Sequence, residues 1–177
     1  MEEIEVKIIE INPEEIISTL EKLGAEKVFD GEMNSIYFDY QGEFKKSKKT
    51  LRLRQKGDTS ILTFKIKKED ADAKVHEELE TKVENFAIVR EILKRLGFQE
   101  VSVGMRRRIS FKIKKSLVEL DFYPGIPPSL EVESPSKEEL QQIVQLLGYS
   151  MKQTKRWSGK KLLEYYKGRE KLAESIL

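Results

Sequence analysis

Three Glu-x-Glu pairs at strand spacing constrain this chain more than any other feature. Successive side chains of a β-strand point to opposite faces, so each pair directs two carboxylates the same way. Carboxylates crowded on one face raise one another's pKa unless a cation neutralises them. Hard divalent cations such as Mg2+ suit carboxylate oxygen, so the pairs predict a metal site. The pairs are Glu3 and Glu5, followed at the same spacing by Lys7; Glu78 and Glu80; and Glu131 and Glu133.

Several other segments alternate between a charged face and an apolar face in the same way. Between residues 51 and 67 the charged faces are basic, and between residues 101 and 123 a basic strand precedes an acidic one. Most of the chain is therefore predicted to be β-strand with two unlike faces. The charged residues on these faces are Arg52, Arg54, Lys56, Lys65, Lys67, Arg106, Arg108, Glu119 and Asp121.

Two architectures explain such strands. An antiparallel sheet with one solvated face is the simpler one, but solvent faces usually mix charged residues with Thr and Ser without this order. The alternative closes the sheet into a barrel or tunnel, with the charged faces around the lumen and helices covering the apolar outside. The lumen would then hold eight basic and eight acidic residues, which predicts a nearly neutral interior.

Three helices are predicted over residues 12–24, 85–97 and 136–148. Each begins at an Asn or Ser that suits an N-cap and ends at a glycine after an apolar stripe. Each also follows one of the Glu-x-Glu strands, which indicates a weak repeat of a strand-helix-strand unit. The segment after residue 148 is polar and less clearly a strand.

Composition excludes several classes of protein. The 177 residues are most simply one domain, residues 1–177, and the net charge of +2 argues against a general binder of nucleic acids or membrane surfaces. The absence of cysteine excludes disulfides and thiolate chemistry, and the single His76 excludes a multi-histidine metal centre. Neither a signal peptide nor a membrane helix is visible, so we expect a cytoplasmic protein.

The ordered set of strand motifs resembles the CYTH family over nearly the whole chain. These proteins are the triphosphate tunnel metalloenzymes, named for class IV adenylyl cyclase and thiamine triphosphatase. Residues 78–97 and 158–163 are most similar to the class IV cyclase branch. The motifs are the Glu-x-Glu-x-Lys start, Leu51-Arg-Leu-Arg54, Thr63-Phe-Lys65, Glu77-Glu-Leu-Glu80, Arg106-Arg-Arg108, Glu119-Leu-Asp121 and Leu130-Glu-Val-Glu133.

The resemblance implies an α+β fold, with an eight-stranded antiparallel β-barrel or tunnel, a charged lumen and helices packed outside. It also implies a bound triphosphate with Mg2+ or Mn2+. The expected triphosphate-binding residues are Lys7, Arg52, Arg54, Lys65, Lys67, Arg106 and Arg108, of which Lys7, Arg52 and Arg106 are expected to be catalytic. The expected metal ligands are Glu3, Glu5, Glu78, Glu80, Asp121, Glu131 and Glu133.

The class IV branch predicts conversion of ATP to cyclic AMP and pyrophosphate. Hydrolysis of inorganic or thiamine triphosphate is the first alternative, and a non-catalytic module that binds polyphosphate or nucleotides is the second. Ser35, His76 and Gly159 stand where members of this branch often carry Asp, Arg and Tyr, which bears on nucleotide selectivity.

The expected partner is a small molecule with a triphosphate, such as ATP, tripolyphosphate or thiamine triphosphate, and neither nucleic acid nor a membrane. An uncovered apolar strand face would allow a homodimer. Residues 152–177 are expected to pack on the tunnel or close it. Trp157, Tyr165 and Tyr166 in that segment suit either base stacking or packing against the barrel.

Overall fold

The β-sheet closes on itself in this computed structural model, which describes residues 2–68 and 74–174. Every pair of neighbouring strands is antiparallel, and most connections between strands are short. The strands are β1 (Glu2–Ile9), β2 (Glu26–Asp39), β3 (Lys49–Lys56), β4 (Thr59–Lys68), β5 (Lys74–Val83), β6 (Gln99–Ile113), β7 (Ser116–Phe122) and β8 (Ser129–Ser134).

The order around the barrel is β1-β5-β4-β3-β2-β6-β7-β8, and β8 pairs with β1 to complete it. The predicted eight-stranded antiparallel barrel is therefore confirmed, and the open sheet with a solvated face is wrong. Within the described residues, β1 pairs with β5 over Glu2–Glu5. Beyond that short seam, Lys7 exchanges two backbone hydrogen bonds of 2.8 and 2.7 Å with Lys155, so the C-terminal segment continues the wall along β1.

Five helices are present in the described residues. The three predicted helices are confirmed, and their caps form as expected: Asn12, Asn85 and Ser136 each accept a backbone N–H of the first turn at 3.0–3.2 Å. None of the helices is long and apolar enough to cross a membrane. The helices are α1 (Pro13–Lys22), α2 (Glu43–Lys46), α3 (Phe86–Arg95), α4 (Lys137–Leu146) and α5 (Gly159–Glu174).

The other two helices were not predicted. The carboxylate of Asp39 accepts the backbone N–H groups of Phe44 and Lys45 at 3.1 and 3.2 Å, which stabilises the single turn of α2. The segment after residue 148 is a 3-10 turn followed by an extended stretch and α5, rather than a further strand. Helix α5 is mostly polar and buries Leu162 and Tyr166.

Two apolar clusters cover the outside of the barrel. α1 and α4 pack on β1, β7, β8 and the second half of β6, where Leu20, Leu140 and Leu120 are fully buried. α3 packs on β2 and β3 through Leu93, against Leu53. Because burial of apolar surface stabilises the folded state by about 25 cal/mol per Å2, these contacts keep the apolar faces outward and leave the charged faces toward the lumen.

In the described structure, the outer face of the first half of β6 is largely exposed. Val101, Val103 and Met105, on the first half of β6, are 58%, 69% and 57% exposed. This is the kind of surface on which we expected a homodimer, and the homodimer stays a prediction.

The packing of α4 makes the first testable prediction. Leu140→Ala should lower the free energy of unfolding by about 2–5 kcal/mol, since it opens a cavity under a fully buried side chain. Leu146→Ala, in the same helix at a 44% exposed position, is the matched control and should cost less than about 1 kcal/mol. Urea titration of both variants measures the difference. Equal losses would contradict this packing of α4.

Candidate functional site

The lumen forms a cavity of roughly 580 Å3 to which all eight strands contribute. Its lining brings together almost all residues that the sequence predicted for the site. Asp121 lies buried behind the lining, and the side chain of Glu3 lies outside the described part of the chain. The predicted residues that line the cavity are Glu5, Lys7, Arg52, Arg54, Lys65, Lys67, Glu78, Glu80, Arg106, Arg108, Glu131 and Glu133.

Asp121 is the centre of a buried ionic network. Its two oxygens accept hydrogen bonds from Arg108 Nε and Nη2, both at 2.6 Å, and Arg106 Nε lies 2.8 Å away. Burial raises the pKa of a carboxyl group, but Arg108 and Arg106 outweigh it and lower the pKa of Asp121 below its usual value. In this structure Asp121 therefore serves as the counter-ion of the arginines, and its role as a metal ligand stays a prediction.

Arg108 connects three strands through carboxylates. Besides Asp121 it contacts Glu119, and its Nη2 donates to Glu131 at 3.1 Å. Burial lowers the pKa of a guanidinium, but these three carboxylates raise the pKa of Arg108 well above its usual value. Arg108 thereby ties β6, β7 and β8 together on the inner face.

Lys7 holds β1 to the same network. Its ammonium forms an ion pair with Glu131, which lies opposite it in the β1–β8 register, and lies 3.7 Å from Asp121. Burial alone would lower the pKa of Lys7, yet Glu131 and Asp121 raise it above its ordinary value. Lys7 is therefore charged in the folded protein at any physiological pH.

The wall made by β2 and β3 has the opposite character. Arg54 is only 9% exposed and forms no ion pair with any described residue; its Nε donates a long hydrogen bond of 3.4 Å to Ser35. Burial, followed by the repulsion of Arg52 and Arg106, lowers the pKa of Arg54. A buried guanidinium without a counter-ion, beside two others, favours an anion in the cavity.

Two neighbours of Arg54 support the same conclusion. Arg52 Nε is buried and has no hydrogen-bond partner in the described structure, and its nearest carboxylate, on Glu78, lies 3.9 Å from Nη2. Burial raises the pKa of the Tyr37 hydroxyl, but Arg52, Arg106 and Arg54 lower it on balance. Unsatisfied guanidinium donors are the groups that phosphate oxygens accept from.

The carboxylates of the cavity supply only some of the ligands that a Mg2+ ion needs. Glu5 and Glu133 lie directly opposite each other on β1 and β8, and both line the cavity. Within the described part of the chain, no group of three or more candidate ligands is close enough to hold a metal alone. Since Mg2+ is commonly held by one or two carboxylates together with substrate phosphates and water, the pair suits a metal that arrives with a polyphosphate.

The remaining predicted ligands are engaged with protein groups. Glu78 forms an ion pair with Lys65, and Glu80 accepts a hydrogen bond from Thr63 at 3.0 Å. These contacts place both carboxylates beside the basic wall.

The cavity is more basic than the sequence predicted. Among the described lining residues, twelve Lys and Arg side chains stand against six Glu side chains, and Asp121 adds one carboxylate behind the lining, so these residues do not show the expected near-neutral balance. Part of the excess comes from the Lys-Lys-Ser-Lys-Lys run at 45–49, a signal that was visible in the sequence but was not used. Sequence reasoning also missed Tyr37, in a strand whose alternation was unclear. Gly159, which the sequence connected with nucleotide selectivity, also lines the cavity, and the lining residues that were missed are Tyr37, Lys48, Lys49, Thr50, Ile61, Leu117, Tyr123, Arg156, Ser158 and Lys161.

Gly159 lets the side chain of Tyr123 come close to the backbone of the C-terminal segment. A Cβ atom at this position would lie 2.6 Å from the Tyr123 hydroxyl, so only glycine permits the observed approach. The Tyr123 ring in turn lies 5.4 Å from the Arg106 guanidinium.

Three aromatic residues of the C-terminal segment pack against one another. The ring centroids of Trp157 and Tyr165 lie 4.9 Å apart with the rings tilted by 49°, and Tyr166 donates a hydrogen bond to Glu10 at 3.0 Å. These contacts fit the packing alternative, and base stacking stays a prediction. Arg107, one residue from Arg106, pairs with Asp30 at 2.9 Å outside the barrel.

Comparison with known proteins gives three findings. The family model of the CYTH domain matches residues 1–165. A protein of Methanocaldococcus jannaschii, provisionally named adenylate cyclase, is 30% identical over 134 residues, which cover 75% of this chain and 77% of the relative. The solved structure of the PH1012 protein of Pyrococcus horikoshii has a TM-score of 0.75 at 27% identity, over 88% of this chain and 96% of its own.

A more distant structure shares the fold. It is a Hippeastrum protein provisionally named adenylyl cyclase, whose title describes a dominant triphosphatase activity. It covers 94% of this chain and 96% of its own, with a TM-score of 0.65 and 16% identity.

The buried network predicts a pH-dependent loss of stability. Asp121→Asn should lower the free energy of unfolding by about 3 kcal/mol at neutral pH, because it removes the counter-ion of buried arginines. The folded-state pKa of Asp121 lies below its unfolded value of about 3.9. Its stabilisation is therefore full above about pH 4 and is lost as the pH falls through the folded pKa.

Urea titrations of wild type and variant at several pH values measure this dependence. The difference in free energy of unfolding between wild type and Asp121→Asn should become smaller at acidic pH. Asp58→Asn, an exposed carboxylate in the β3–β4 turn, is the control and should change stability by less than about 0.5 kcal/mol. A difference that stays constant down to acidic pH would contradict the assignment of Asp121 as the counter-ion of the buried arginines.

Proposed function

The chain belongs to the CYTH family, and on that premise we propose that it is a metal-dependent enzyme that binds ATP by its triphosphate inside the barrel and forms cyclic AMP and pyrophosphate. The observation that carries the triphosphate site is the cluster of Arg52, Arg54 and Arg106. All three are buried, and Arg54 has no carboxylate partner among the described residues. A polyanion would satisfy these donors and relieve their repulsion.

The proposed roles follow from the two walls of the cavity. Arg52 and Arg54, which have open donors, bind phosphate oxygens directly, and Arg106 joins them from β6, which is separated from β3 by β2. Lys7 stands at the acidic wall and neutralises charge on a phosphate that lies between the walls. Arg108 is saturated by three carboxylates and positions Asp121 and Glu131.

A divalent ion fits this site through Glu5 and Glu133, with Glu131 beside them in β8. When bound, Mg2+ or Mn2+ would supply Lewis-acid stabilisation of charge on the phosphate oxygens. The two glutamates lie directly opposite each other in the β1–β8 register, where like charges are destabilising. Relief of this repulsion favours binding of a divalent cation at the pair.

In the proposed reaction the ribose 3′ hydroxyl gives its proton to a water molecule, and its oxygen attacks the α-phosphorus. A new O–P bond closes the cyclic phosphate, and the bond from the α-phosphorus to the bridging oxygen breaks. Negative charge then builds on the leaving pyrophosphate, where preorganised guanidinium groups stabilise it. The choice of this reaction rests on the M. jannaschii relative and on the class IV resemblance, since the arginine cluster would bind any triphosphate.

Hydrolysis of inorganic triphosphate is the second candidate, and the lining of the cavity favours it. Among the described lining residues only Ile61, Leu117, Tyr37 and Tyr123 offer apolar surface that a nucleobase could contact. Tyr123 is already packed against Arg106. A substrate made only of phosphates needs no such surface. The Hippeastrum protein also associates this fold with triphosphatase activity.

One experiment distinguishes the two reactions. The purified protein is incubated with ATP, tripolyphosphate or thiamine triphosphate, with Mg2+ or Mn2+, and all products are separated by chromatography. Cyclic AMP with pyrophosphate supports the cyclase. Rapid release of phosphate from tripolyphosphate, with no cyclic AMP under either metal, would assign the protein to the hydrolases.

Metal dependence is predicted for either reaction. Thorough chelation should abolish turnover, and Glu133→Gln should reduce it by about 100-fold or more while leaving the thermal midpoint unchanged or higher, because one of two repelling carboxylates is neutralised. Activity and thermal unfolding are measured on the same preparations. Full turnover after chelation would contradict the metal site, and a variant that fails to fold would make Glu133 structural.

Arginine geometry is tested by a conservative exchange. Arg54→Lys should weaken binding of tripolyphosphate by about tenfold, because lysine keeps the charge but loses the two-pronged hydrogen bonding of guanidinium. Arg107→Lys, at an exposed position outside the barrel, is the matched control and should bind like wild type. Calorimetry with each variant gives the affinities. Equal affinity for all three proteins would remove Arg54 from the phosphate site.

A further inference from the structure

Strand β6 extends well beyond its neighbour β7, because β6 has 15 residues and β7 has 7. In the described structure β7 pairs with residues 107–113 of β6, and no backbone hydrogen bond reaches the same edge over residues 99–106. The opposite edge of β6 is paired with β2 as far as Gln99. We call the unpaired side of residues 99–106 the free edge. Since alternate residues of a strand direct N–H and C=O groups to each edge, the free edge offers donors and acceptors to a further strand.

The free edge lacks the features that usually prevent the association of exposed strands. Native edge strands are commonly protected by lysine, by other charges or by proline. Residues 101–105, Val-Ser-Val-Gly-Met, contain none of these, although 36% of the chain is charged. A register shift against β2 leaves a bulge at Val101, and the pairing is regular from Ser102 onward. A regular, uncharged stretch is therefore available for pairing.

Both faces of this stretch have room beside them in the described structure. On the outer face Val101, Val103 and Met105 are exposed. On the other face Ser102 is exposed, and a Cβ atom added at Gly104 would meet nothing within 4 Å. A docked strand would therefore find space for its own side chains on either face.

The side chains of the free edge are complementary to a second copy of themselves. In an antiparallel pair centred on Val103, this residue lies opposite its own counterpart, and Val101 lies opposite Met105 of the second copy. The small residues Ser102 and Gly104 lie opposite each other between them. Apolar cross-strand pairs of this kind stabilise a sheet. A two-fold axis through Val103, perpendicular to the sheet, thus matches apolar side chains on the outer face, as an isologous dimer requires.

The charges at the two ends of the free edge select the antiparallel direction. Glu100 lies at one end, where it accepts two hydrogen bonds from Arg90 of α3 at 2.6 and 2.8 Å. Arg107 lies just beyond the other end, on the outer face, where it pairs with Asp30. Antiparallel pairing brings the acidic end of one copy beside the basic end of the other, which is favourable. Parallel pairing in register would place glutamate beside glutamate.

We propose that the free edge of β6 joins two copies of this chain, which pair antiparallel through residues 101–105 and continue the sheet of one barrel into the sheet of the other. The proposal is independent of the ligand and of the reaction in the lumen. Stable interfaces of standard size involve about 20–30 residues a side, more than this edge offers. We therefore expect a reversible dimer with a dissociation constant on the order of 10 μM.

The test measures the oligomeric state of three proteins by sedimentation equilibrium, from about 1 μM to about 500 μM protein. They are the wild type, Val103→Lys and Leu79→Lys. Val103→Lys places two lysines opposite each other on the two-fold axis. Leu79→Lys is the matched control, because Leu79 is 64% exposed on β5 and Val103 is 69% exposed on β6, so the same charge replaces an equally exposed apolar side chain. Urea titration verifies that both variants are folded.

We expect the wild type and Leu79→Lys to dimerise with the same dissociation constant. Val103→Lys should raise this constant by at least about 30-fold, because an apolar pair is lost and like charges meet. A wild type that stays monomeric over the whole concentration range, or an equal weakening in both variants, would overturn the proposal.

Hydrogen exchange of the wild type separates strand pairing from contact between apolar faces alone. Amides of residues 101–105 that point away from β2 should exchange at least about tenfold more slowly when the protein is dimeric than when it is diluted to the monomer. A dimer without this protection would overturn the pairing of the free edges. Protection that persists in the monomer would mean that another part of the chain covers the edge, and would overturn the second copy as its partner. This measurement needs no variant, so it decides the proposal even if Val103→Lys does not fold.

Discussion

The ion pairs around Asp121 set the geometry of the lumen. This carboxylate is fully buried, receives Arg108 through two hydrogen bonds and lies close to Arg106 and Lys7. Removing one member of such a network leaves the others as buried, uncompensated charges, which costs several kcal/mol. The inner faces of β1, β6, β7 and β8 are therefore held in one arrangement before any ligand enters. The opposite wall is positioned relative to this rigid half.

The two walls of the lumen differ in how their charges are compensated. Lys7 and Arg108 are matched by carboxylates, whereas Arg54 faces other arginines and has no acidic partner in the described structure. Repulsion among like charges destabilises the folded state, and strained electrostatics of this kind concentrates at functional sites. A polyphosphate would link the walls, since it offers anionic oxygens to the arginines and, through a metal, to the carboxylates.

Alternation along the strands was enough to predict most of the lumen. The side chains of a strand point to alternate faces whatever the surrounding fold, so Arg52, Arg54, Glu131 and Glu133 could be assigned to one interior from their spacing. Tyr37 was missed because β2 contains register shifts, between Lys27 and Phe29 and between Tyr37 and Phe38, which interrupt the pattern. Helix α5 was missed because few of its residues are apolar, and local periodicity gave no signal.

The sequence by itself determined which residue types face inward, three of the five described helices with their caps, and the family to which the chain belongs, because these depend on local spacing and on ordered motifs. Only the tertiary structure decided which charges meet. Lys7 pairs with Glu131 because β1 and β8 close the barrel in that register, while Arg54 receives no carboxylate from either neighbouring strand. At Lys7, the backbone of β1 pairs with Lys155 of the C-terminal segment. Such pairings join residues far apart in the chain, and the closure of the sheet sets them through strand register, which no local pattern encodes.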